Sequence, residues 1–229
     1  MSKDTIKVGL TGNRFSGKSR ICKIFKQISI PIFDADVVLN FIINHDMITI
    51  NLIRNNIGQH VFTECNSTSE GSILDIKKIS KSDFDKIINC AEYELMQAWK
   101  KFLAKNEKSI YVIFKSSILF ERNWSGTMDF NINVFCPKIT RMERCREATK
   151  MSIMQIENYL KCEIDDLDKN REANFIIHNY EASNLMAGRD VVDQVNTIDN
   201  KIVESFFDLS KEIQYKQEQG RSLSKKLIL

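Results

Sequence analysis

The segment Ile6–Ser19 reads Ile-Lys-Val-Gly-Leu-Thr-Gly-Asn-Arg-Phe-Ser-Gly-Lys-Ser, and it decides the fold. Its first six residues are rich in β-branched side chains and are followed at once by glycine, which predicts a buried strand that runs into a loop. From Lys18 onward, apolar residues recur at three- and four-residue spacing, which predicts one face of a helix (Ile21, Ile24, Phe25 and Ile28). We therefore expect a glycine-rich loop between a buried strand and an amphipathic helix.

This loop satisfies the phosphate-binding pattern G-x-x-x-x-G-K-[ST] in full. Glycines let the backbone wrap closely around an anion, so that N–H groups and the helix N-terminus face it. In such a loop, Lys18 places a cation on the β- and γ-phosphates of ATP, and the Ser19 hydroxyl ligates Mg²⁺. The alternative is a glycine-rich turn without a ligand, which the complete motif in this context disfavours. The predicted nucleotide-binding residues are Gly12, Asn13, Arg14, Phe15, Ser16, Gly17, Lys18, Ser19 and the adjoining Arg20.

A pair of carboxylates follows the second predicted strand, Ile30–Phe33, in the sequence Asp34-Ala35-Asp36. In an open parallel sheet, ligands bind beyond the carboxyl ends of the strands. Carboxylates placed there can hold Mg²⁺ through water or accept a proton from a hydroxyl group. The alternative is that Asp36 only caps the next helix, which is a common position for Asp. We expect one of the two residues to cap and one to serve the site, and the sequence does not separate them.

The rest of the chain alternates between helical and strand patterns, which predicts an α/β fold with a parallel sheet covered on both faces. Residues 37–106 contain no convincing strand and predict a helical insertion, while the polar residues 62–74 predict a loop. Helices are predicted at Val37–Ile43, at Asp46–Ile57, from Ser82 or Asp83 to Ala104, and from about Asp190 to Gln217. Further strands are predicted at Ser109–Phe114, Asn131–Phe135 and Asn174–Ile177.

The composition excludes several classes of protein. With 43% hydrophobic and 28% charged residues, the 229-residue chain is neither disordered nor fibrous, and two prolines and eight glycines argue against an all-β fold. The net charge of +3 does not indicate a nucleic-acid partner, and the apolar runs are too short to span a membrane. Six cysteines without a C-x-x-C pair favour free thiols in a reducing compartment over zinc ligands or disulfides. We therefore expect a cytoplasmic protein with a small-molecule acceptor, and its oligomeric state stays open.

The motifs and their spacing resemble the opening of dephospho-coenzyme A kinases. The resemblance is strong over Val8–Gly12, Ser16–Ser19 and Ile30–Val37, and weaker over three later stretches (Ile118–Glu121, Asn131–Pro137 with Arg144, and Lys169 with Ala173–Asn179). It implies a three-layer P-loop NTPase fold with a five-stranded parallel sheet, a helical substrate-binding insertion and a lid. The implied division is a core at residues 1–36 and 107–215 with a lid at about 140–170, an insertion at 37–106, and a tail at 216–229.

The resemblance also implies a function in coenzyme A biosynthesis, the ATP- and Mg²⁺-dependent phosphorylation of the ribose 3′-hydroxyl of dephospho-coenzyme A. Lys18 would act on the transferred phosphoryl group, and Asp36 corresponds to the candidate base. Asp34 corresponds to the first Asp of the motif. Arg144 is a candidate for the cation that lies over the phosphoryl group.

The sequence departs from the family pattern at substrate and lid positions, which now hold Asn40, Tyr93, Glu94, Ala148 and Tyr159. Arginines lost from a phosphate site forfeit charge-assisted hydrogen bonds of about 1.5–3 kcal/mol each, so we expect dephospho-coenzyme A to bind weakly unless another cation replaces them. The candidate replacements are Lys115, Arg144 and Arg146.

The departures from the family pattern leave alternatives for the lid arginines and for the function. Arg144 is balanced between a lid role and a solvated helix face, whereas Arg141 is expected on the solvated face beside Glu143 and Glu147. The departures also keep two alternative functions open, a kinase of nucleoside or deoxynucleoside monophosphates and a nucleotide-binding homologue without catalytic activity.

Overall fold

A computed structural model describes residues 5–64, 72–74, 79–149, 151–160, 163–180, 190–205 and 207–208. Cys65, Cys162 and the predicted tail at 216–229 lie outside the described residues, as does the side chain of Tyr159. The strands are β1 (Ile6–Thr11), β2 (Ile32–Asp34), β3 (Phe62–Glu64), β4 (Ser72–Leu74), β5 (Tyr111–Lys115), β6 (Phe130–Phe135) and β7 (Phe175–His178). The helices are α1 (Lys18–Gln27), α2 (Ala35–His45), α3 (Met47–Asn56), α4 (Lys81–Lys105), α5 (Lys138–Thr149), α6 (Ile153–Leu160), α7 (Asp166–Glu172) and α8 (residues 191–205).

Five strands form one parallel sheet in the order β2-β5-β1-β6-β7. The central strand β1 pairs with β5 on one side and β6 on the other, and all residues of β5 are buried. A strand buried on both faces is typical of parallel sheets that are covered by helices. The α/β prediction with a five-stranded parallel sheet is confirmed.

The two faces of the sheet carry separate cores, because alternate residues of a strand point to opposite faces. Val112 and Phe114 of β5 belong to one core, which α2, α3 and α4 cover. Tyr111 and Ile113 belong to the other core, which α1 and α8 cover. The first core packs aromatic rings closely, with Phe114 and Trp99 edge to face at 5.1 Å between ring centroids. The prediction of a sheet covered on both faces is confirmed.

The predicted loop at residues 62–74 is wrong, because its two ends form the antiparallel hairpin β3–β4. Phe62 pairs with Leu74, and Thr63 pairs with Ile73. Phe62 is buried in the core beneath the helices, and Leu74 packs against the same core. The Leu74 N–H donates to the Asn44 side chain at 3.0 Å, which ties the hairpin to α2. The polar stretch between the two strands hid these few apolar residues from the sequence pattern.

Helix α4 begins earlier than predicted. Its N-cap is Ser80, whose hydroxyl accepts the Asp83 N–H at 3.1 Å, so the assignment of the cap to Ser82 or Asp83 is wrong. The Ser80 hydroxyl also donates to the Asp83 carboxylate at 2.6 Å, and this bond is the main reason that the pKa of Asp83 is lowered. The helix ends at Lys105, one residue beyond the predicted end.

No single helix in the described part of the chain is long and apolar enough to cross a membrane. Helices α2 and α3 satisfy the length and composition criteria only when they are taken together, and they are bent by 77° at the break between them.

Replacing the capping hydroxyl tests the observed start of α4. We expect Ser80→Ala to lower the free energy of unfolding by about 1 kcal/mol, since an N-cap side chain contributes about 0.5–2 kcal/mol. Ser82→Ala is the matched control and should change stability by less than about 0.5 kcal/mol, because Ser82 is exposed inside the first turn. Chemical denaturation of both variants measures the difference, and a larger loss for Ser82→Ala would place the cap where the sequence pattern had put it.

Candidate active site

The candidate site residues lie at the edge of the sheet where the parallel strands have their carboxyl ends. Strand β1 ends at Thr11 and leads directly into the glycine-rich loop, and β2 ends at Asp34. Asp34 lies opposite Lys115, the last residue of β5, in the parallel register. Strand β7 ends at His178 and is followed by the buried Asn179. Parallel strands present their carboxyl ends at one edge, which is why residues far apart in sequence meet here.

The loop follows a path that only glycine permits at two positions. Gly12 has φ of +149°, and a Cβ there would lie 2.5 Å from the Val134 carbonyl oxygen. Gly17 has φ of +92°, and a Cβ there would overlap the Asn179 amide. Gly17 is also the N-cap of α1, and no side chain caps this helix. The Arg20 N–H donates to the Gly17 carbonyl at 2.9 Å, whereas no side chain caps the first N–H groups of α1, and an uncapped helix N-terminus is an arrangement that binds anions.

Lys18 lies folded under the loop. Its ammonium donates to the carbonyl oxygens of Gly12 at 2.6 Å and Asn13 at 3.2 Å, and the residue is buried. Burial lowers its pKa from 10.5 to about 8, because desolvation disfavours the charged form. The charge of Asp36 acts in the opposite direction, while the nearby Lys169 and Lys115 lower the pKa further.

Arg144 and Asn179 hold the second half of the loop. The Arg144 guanidinium donates to the carbonyl oxygens of Phe15 at 3.3 Å and Ser16 at 3.4 Å, and also to the Asn179 carbonyl at 2.9 Å. The Asn179 amide donates to the Ser16 carbonyl at 2.7 Å. Arg20 is exposed and donates to the Asn179 side chain at 3.5 Å. Arg144 therefore does not lie on a solvated helix face, and its role over the transferred phosphoryl group stays a prediction.

Arg141 also contacts the loop, so its expected solvated position is wrong. It is only 3% exposed and forms ion pairs with Glu163 at 2.7 Å and with Asp166 at 2.8 Å. Helical spacing compares a residue only with neighbours on its own helix, whereas these partners come from the segment between α6 and α7 and from the start of α7. Nothing in the spacing of Glu163 and Asp166 singles them out, and both were missed.

The two aspartates have different partners. Asp34 is the N-cap of α2, where it accepts the Val37 N–H at 3.3 Å, so the alternative that Asp36 caps this helix is wrong. The second Asp34 oxygen accepts from the Lys115 ammonium at 2.6 Å. Asp36 accepts the N–H and the hydroxyl of Ser117, both at 3.0 Å, and its other oxygen lies 4.0 Å from Lys115.

Lys169 contacts Ser117, the residue that donates two hydrogen bonds to Asp36. It is almost completely buried and donates to the Ser117 carbonyl at 3.1 Å, and its ammonium pairs with Glu121 at 2.8 Å. Ser117 therefore links Lys169 to Asp36. Both Lys169 and Glu121 were noted in the sequence only through the family resemblance, and the hydrogen bonds of Ser117 have no signature in the sequence.

The three cations that could replace the missing arginines differ in exposure and in the partners they already have. Lys115 is buried and bonded to Asp34, and Arg144 is bonded to loop carbonyls. Arg146 is exposed on α5. The altered positions Asn40, Tyr93 and Ala148 are also exposed, with Tyr93 at 68%. These departures from the family pattern therefore lie on open surface, whereas Lys18 and its loop contacts lie in the packed interior.

Comparison with known proteins places this geometry in a family. The dephospho-CoA kinase family model, CoaE, matches residues 6–184. A dephospho-CoA kinase from Bacillus cereus is 25% identical over 178 residues, which cover 76% of this chain and 88% of that protein. A dephospho-CoA kinase from Clostridium tetani is 27% identical over 180 residues, which cover 76% of this chain and 78% of that protein.

The fold is also similar to solved structures. The dephospho-CoA kinase from Campylobacter jejuni has a TM-score of 0.53 and 18% sequence identity, and the match covers 87% of this chain and 98% of that one. At this identity the likeness concerns the fold. The family model, by contrast, spans well over half of the 229 residues and includes the loop, both aspartates and Arg144. This chain therefore belongs to the dephospho-CoA kinase family and is a P-loop phosphotransferase.

Proposed function

We propose that this protein transfers the γ-phosphoryl group of ATP to the ribose 3′-hydroxyl of dephospho-coenzyme A and thereby forms coenzyme A. The observation that carries the proposal is that the loop with Lys18 follows β1 and the Asp34–Asp36 pair follows β2, and both strands pair in parallel with β5 and end at the same edge of the sheet. This arrangement brings a phosphate-binding cation and a carboxylate to the same edge of the sheet, and phosphoryl transfer to a hydroxyl group uses both kinds of group. Family membership supports dephospho-coenzyme A as the acceptor.

The loop suits the phosphates of a nucleotide. The first turn of α1 has no side-chain cap, and the buried Ser16 hydroxyl has no hydrogen-bond partner among the described residues. A buried polar group without a partner is costly, so a ligand that offers oxygen acceptors would be favoured here. Lys18 would leave the carbonyl oxygens of Gly12 and Asn13 and bind the β- and γ-phosphates.

Mg²⁺ suits the same place. Ser19 is exposed in the first turn of α1, and a hydroxyl is one of the oxygen ligands that Mg²⁺ accepts alongside nucleotide phosphates. Among the described residues, no group of three His, Cys, Asp or Glu side chains could hold a metal by itself, so the ion would arrive with the nucleotide. When bound, it would neutralise charge on the β- and γ-phosphates.

Asp36 is the candidate base for the acceptor. Its contacts with Ser117 hold one oxygen, and the second oxygen, which lies 4.0 Å from the Lys115 ammonium, would face the hydroxyl of the acceptor. As the 3′-oxygen bonds to the γ-phosphorus, the bond from that phosphorus to the ADP oxygen breaks, and the hydroxyl proton moves to Asp36. Asp34 would keep Lys115 beside the reaction, and Arg144 would keep the loop in place. The Lys18 ammonium would neutralise part of the negative charge that develops on the leaving ADP.

An acceptor screen tests the proposal directly. We expect ATP consumption by the purified protein to be fastest with dephospho-coenzyme A and near background with nucleoside monophosphates. Because the exposed positions Asn40, Tyr93 and Ala148 carry no cation, we also expect a weak apparent affinity for dephospho-coenzyme A. Faster turnover of a nucleoside monophosphate would replace the proposed acceptor.

Removal of the loop lysine should slow the reaction strongly. We expect Lys18→Ala to lower kcat/KM by at least about 10²-fold, which is typical for the loss of one group that stabilises transition-state charge. Lys23→Ala is the matched control on the same helix, because Lys23 is exposed, and it should retain activity. Equal activity of Lys18→Ala and the wild type would contradict the assignment of the loop.

The lowered pKa of Lys18 predicts that nucleotide binding is linked to protons. Phosphates favour the charged ammonium, so above pH 8 binding should take up a proton, and affinity should fall as the pH rises from about 8 towards 10. Without nucleotide, the unfolded chain holds this proton up to about pH 10.5, so the contribution of Lys18 to stability rises between pH 8 and 10.5.

Calorimetry in two buffers with different ionisation heats measures this uptake. Lys18→Arg is the control, because an arginine stays charged throughout this pH range and should remove the proton linkage. Binding of ATP by the wild type at pH 9 without proton uptake would show that Lys18 does not contact the phosphates.

Replacement of Asp36 and replacement of Asp34 should have different effects on kcat. We expect Asp36→Asn to lower kcat by about 10²–10⁴-fold with little change in ATP affinity, because general-base catalysis contributes about that factor. Asp34→Asn should have the smaller effect on kcat, since Asn also caps helices well and keeps the Val37 contact possible. Steady-state kinetics with both substrates varied decide this, and a larger loss of kcat in Asp34→Asn would move the base to Asp34.

A further inference from the structure

Three charged side chains form a closed network around the first half of the phosphate loop. Arg141 donates to a Glu163 oxygen at 2.7 Å and to an Asp166 oxygen at 2.8 Å. The other Glu163 oxygen accepts the Arg14 N–H at 2.7 Å, and the other Asp166 oxygen accepts from the Asn13 amide at 2.8 Å. Each carboxylate therefore has one oxygen on Arg141 and one on the loop.

Further contacts close the network. Arg141 donates to the carbonyl oxygens of Arg14 at 3.3 Å and Cys136 at 3.1 Å, and the Asn13 amide also donates to the Ile164 carbonyl at 3.0 Å. The Arg141 side chain is 3% exposed, while those of Glu163 and Asp166 are 10% and 15% exposed. Water therefore has little access to these bonds.

The tip of the loop needs such support. Phe15 has φ of +62°, a left-handed conformation that costs a residue other than glycine about 1–2 kcal/mol. Its side chain packs against the small core of α5 and α6, which contains Cys145, Ile156 and Leu160. The loop is thus held by packing at its tip and by hydrogen bonds from Asn13 and Arg14 to carboxylates, and both sets of partners come from the predicted lid region.

We propose that Arg141, Glu163 and Asp166 are positioning residues, which hold the phosphate loop in its nucleotide-binding conformation before the nucleotide arrives. This proposal deepens the proposed function and rests on it. A buried ion network adds little net stability, because the desolvation of its charges offsets their attraction. Its main effect here is therefore geometric, since it fixes loop groups that would otherwise have to be ordered when the ligand binds.

Replacing Glu163 by Gln separates positioning from electrostatics. Glu163 is a negative charge near Lys18, so its neutralisation should tighten the binding of an anion if charge alone mattered. Both of its contacts need acceptors, however, and an amide offers an acceptor at one end and a donor at the other. In one orientation the introduced amide turns its donor towards the Arg14 N–H, and in the other it turns its donor towards Arg141, so the link between Arg141 and the loop through residue 163 is broken in either case. The positioning proposal therefore predicts weaker binding, the opposite sign.

The experiment measures the dissociation constants of MgADP and MgATP by calorimetry for the intact chain and its variants. We expect Glu163→Gln and Asp166→Asn each to bind both nucleotides about tenfold more weakly, which corresponds to the loss of one charge-assisted hydrogen bond. Glu172→Gln is the matched control, an exposed acid on α7, and should bind like the wild type. Binding is measured well below the melting temperature of each variant, where circular dichroism shows it folded.

Each outcome decides a separate question. If the two variants melt earlier but bind nucleotide as tightly as the wild type or more tightly, the network is merely structural and the proposal is overturned. If Glu163→Gln does not fold, Asp166→Asn carries the same test, because Asp166 also needs two acceptor oxygens. If the wild type itself binds neither nucleotide, the proposed function fails and this proposal fails with it. Equally weakened binding by the control Glu172→Gln would show that the effect is not specific to the network and would also overturn the proposal.

Discussion

The path of the backbone between Gly12 and Gly17 is the constraint on which the rest of the site depends. At Gly12 the chain passes the Val134 carbonyl, and at Gly17 it passes the Asn179 amide, so neither position has room for a Cβ. This path turns the end of a buried strand directly into the N-terminus of α1. The helix begins without a side-chain cap, and its first N–H groups remain available to an anion. An uncapped helix end near a buried ammonium is an arrangement that favours an anion.

The same edge of the sheet contains three buried lysines, and each satisfies its ammonium differently. Lys115 pairs with Asp34, and Lys169 pairs with Glu121. Lys18 alone of the three has only carbonyl oxygens as hydrogen-bond partners within the described part of the chain, and burial lowers its pKa to about 8. A bound phosphate would supply the missing anion. Two of the three lysines thus form ion pairs, whereas the ammonium of Lys18 is hydrogen-bonded to the loop itself.

The predicted lid region supports the loop through direct contacts. Arg144 holds the carbonyl oxygens of Phe15 and Ser16, while Arg141 and its two acids hold Asn13 and Arg14. Four consecutive residues of the loop are therefore bonded to groups outside it. These groups lie on α5, at the start of α7 and in the segment before it, and movement of that region would be transmitted to the loop. The family pattern is altered at exposed positions such as Asn40 and Tyr93, where substitution leaves this interior unchanged.

The sequence by itself determined the strand–loop–helix unit, the parallel sheet and the identity of the loop, because these depend on local patterns: β-branched strands, helical periodicity and glycines at fixed spacing. It also indicated Lys18, Asp34 and Asp36, since residues at the carboxyl ends of parallel strands must meet. Only the tertiary structure decided which aspartate caps α2, that Phe62 and Leu74 form a hairpin, and that Arg141 is buried. Each of these depends on partners that are distant in sequence, such as Lys115 for Asp34 and Glu163 for Arg141. A local pattern reports the secondary structure that a segment prefers. The contacts of a buried charged side chain depend instead on residues that are distant in sequence and come close only in the folded chain.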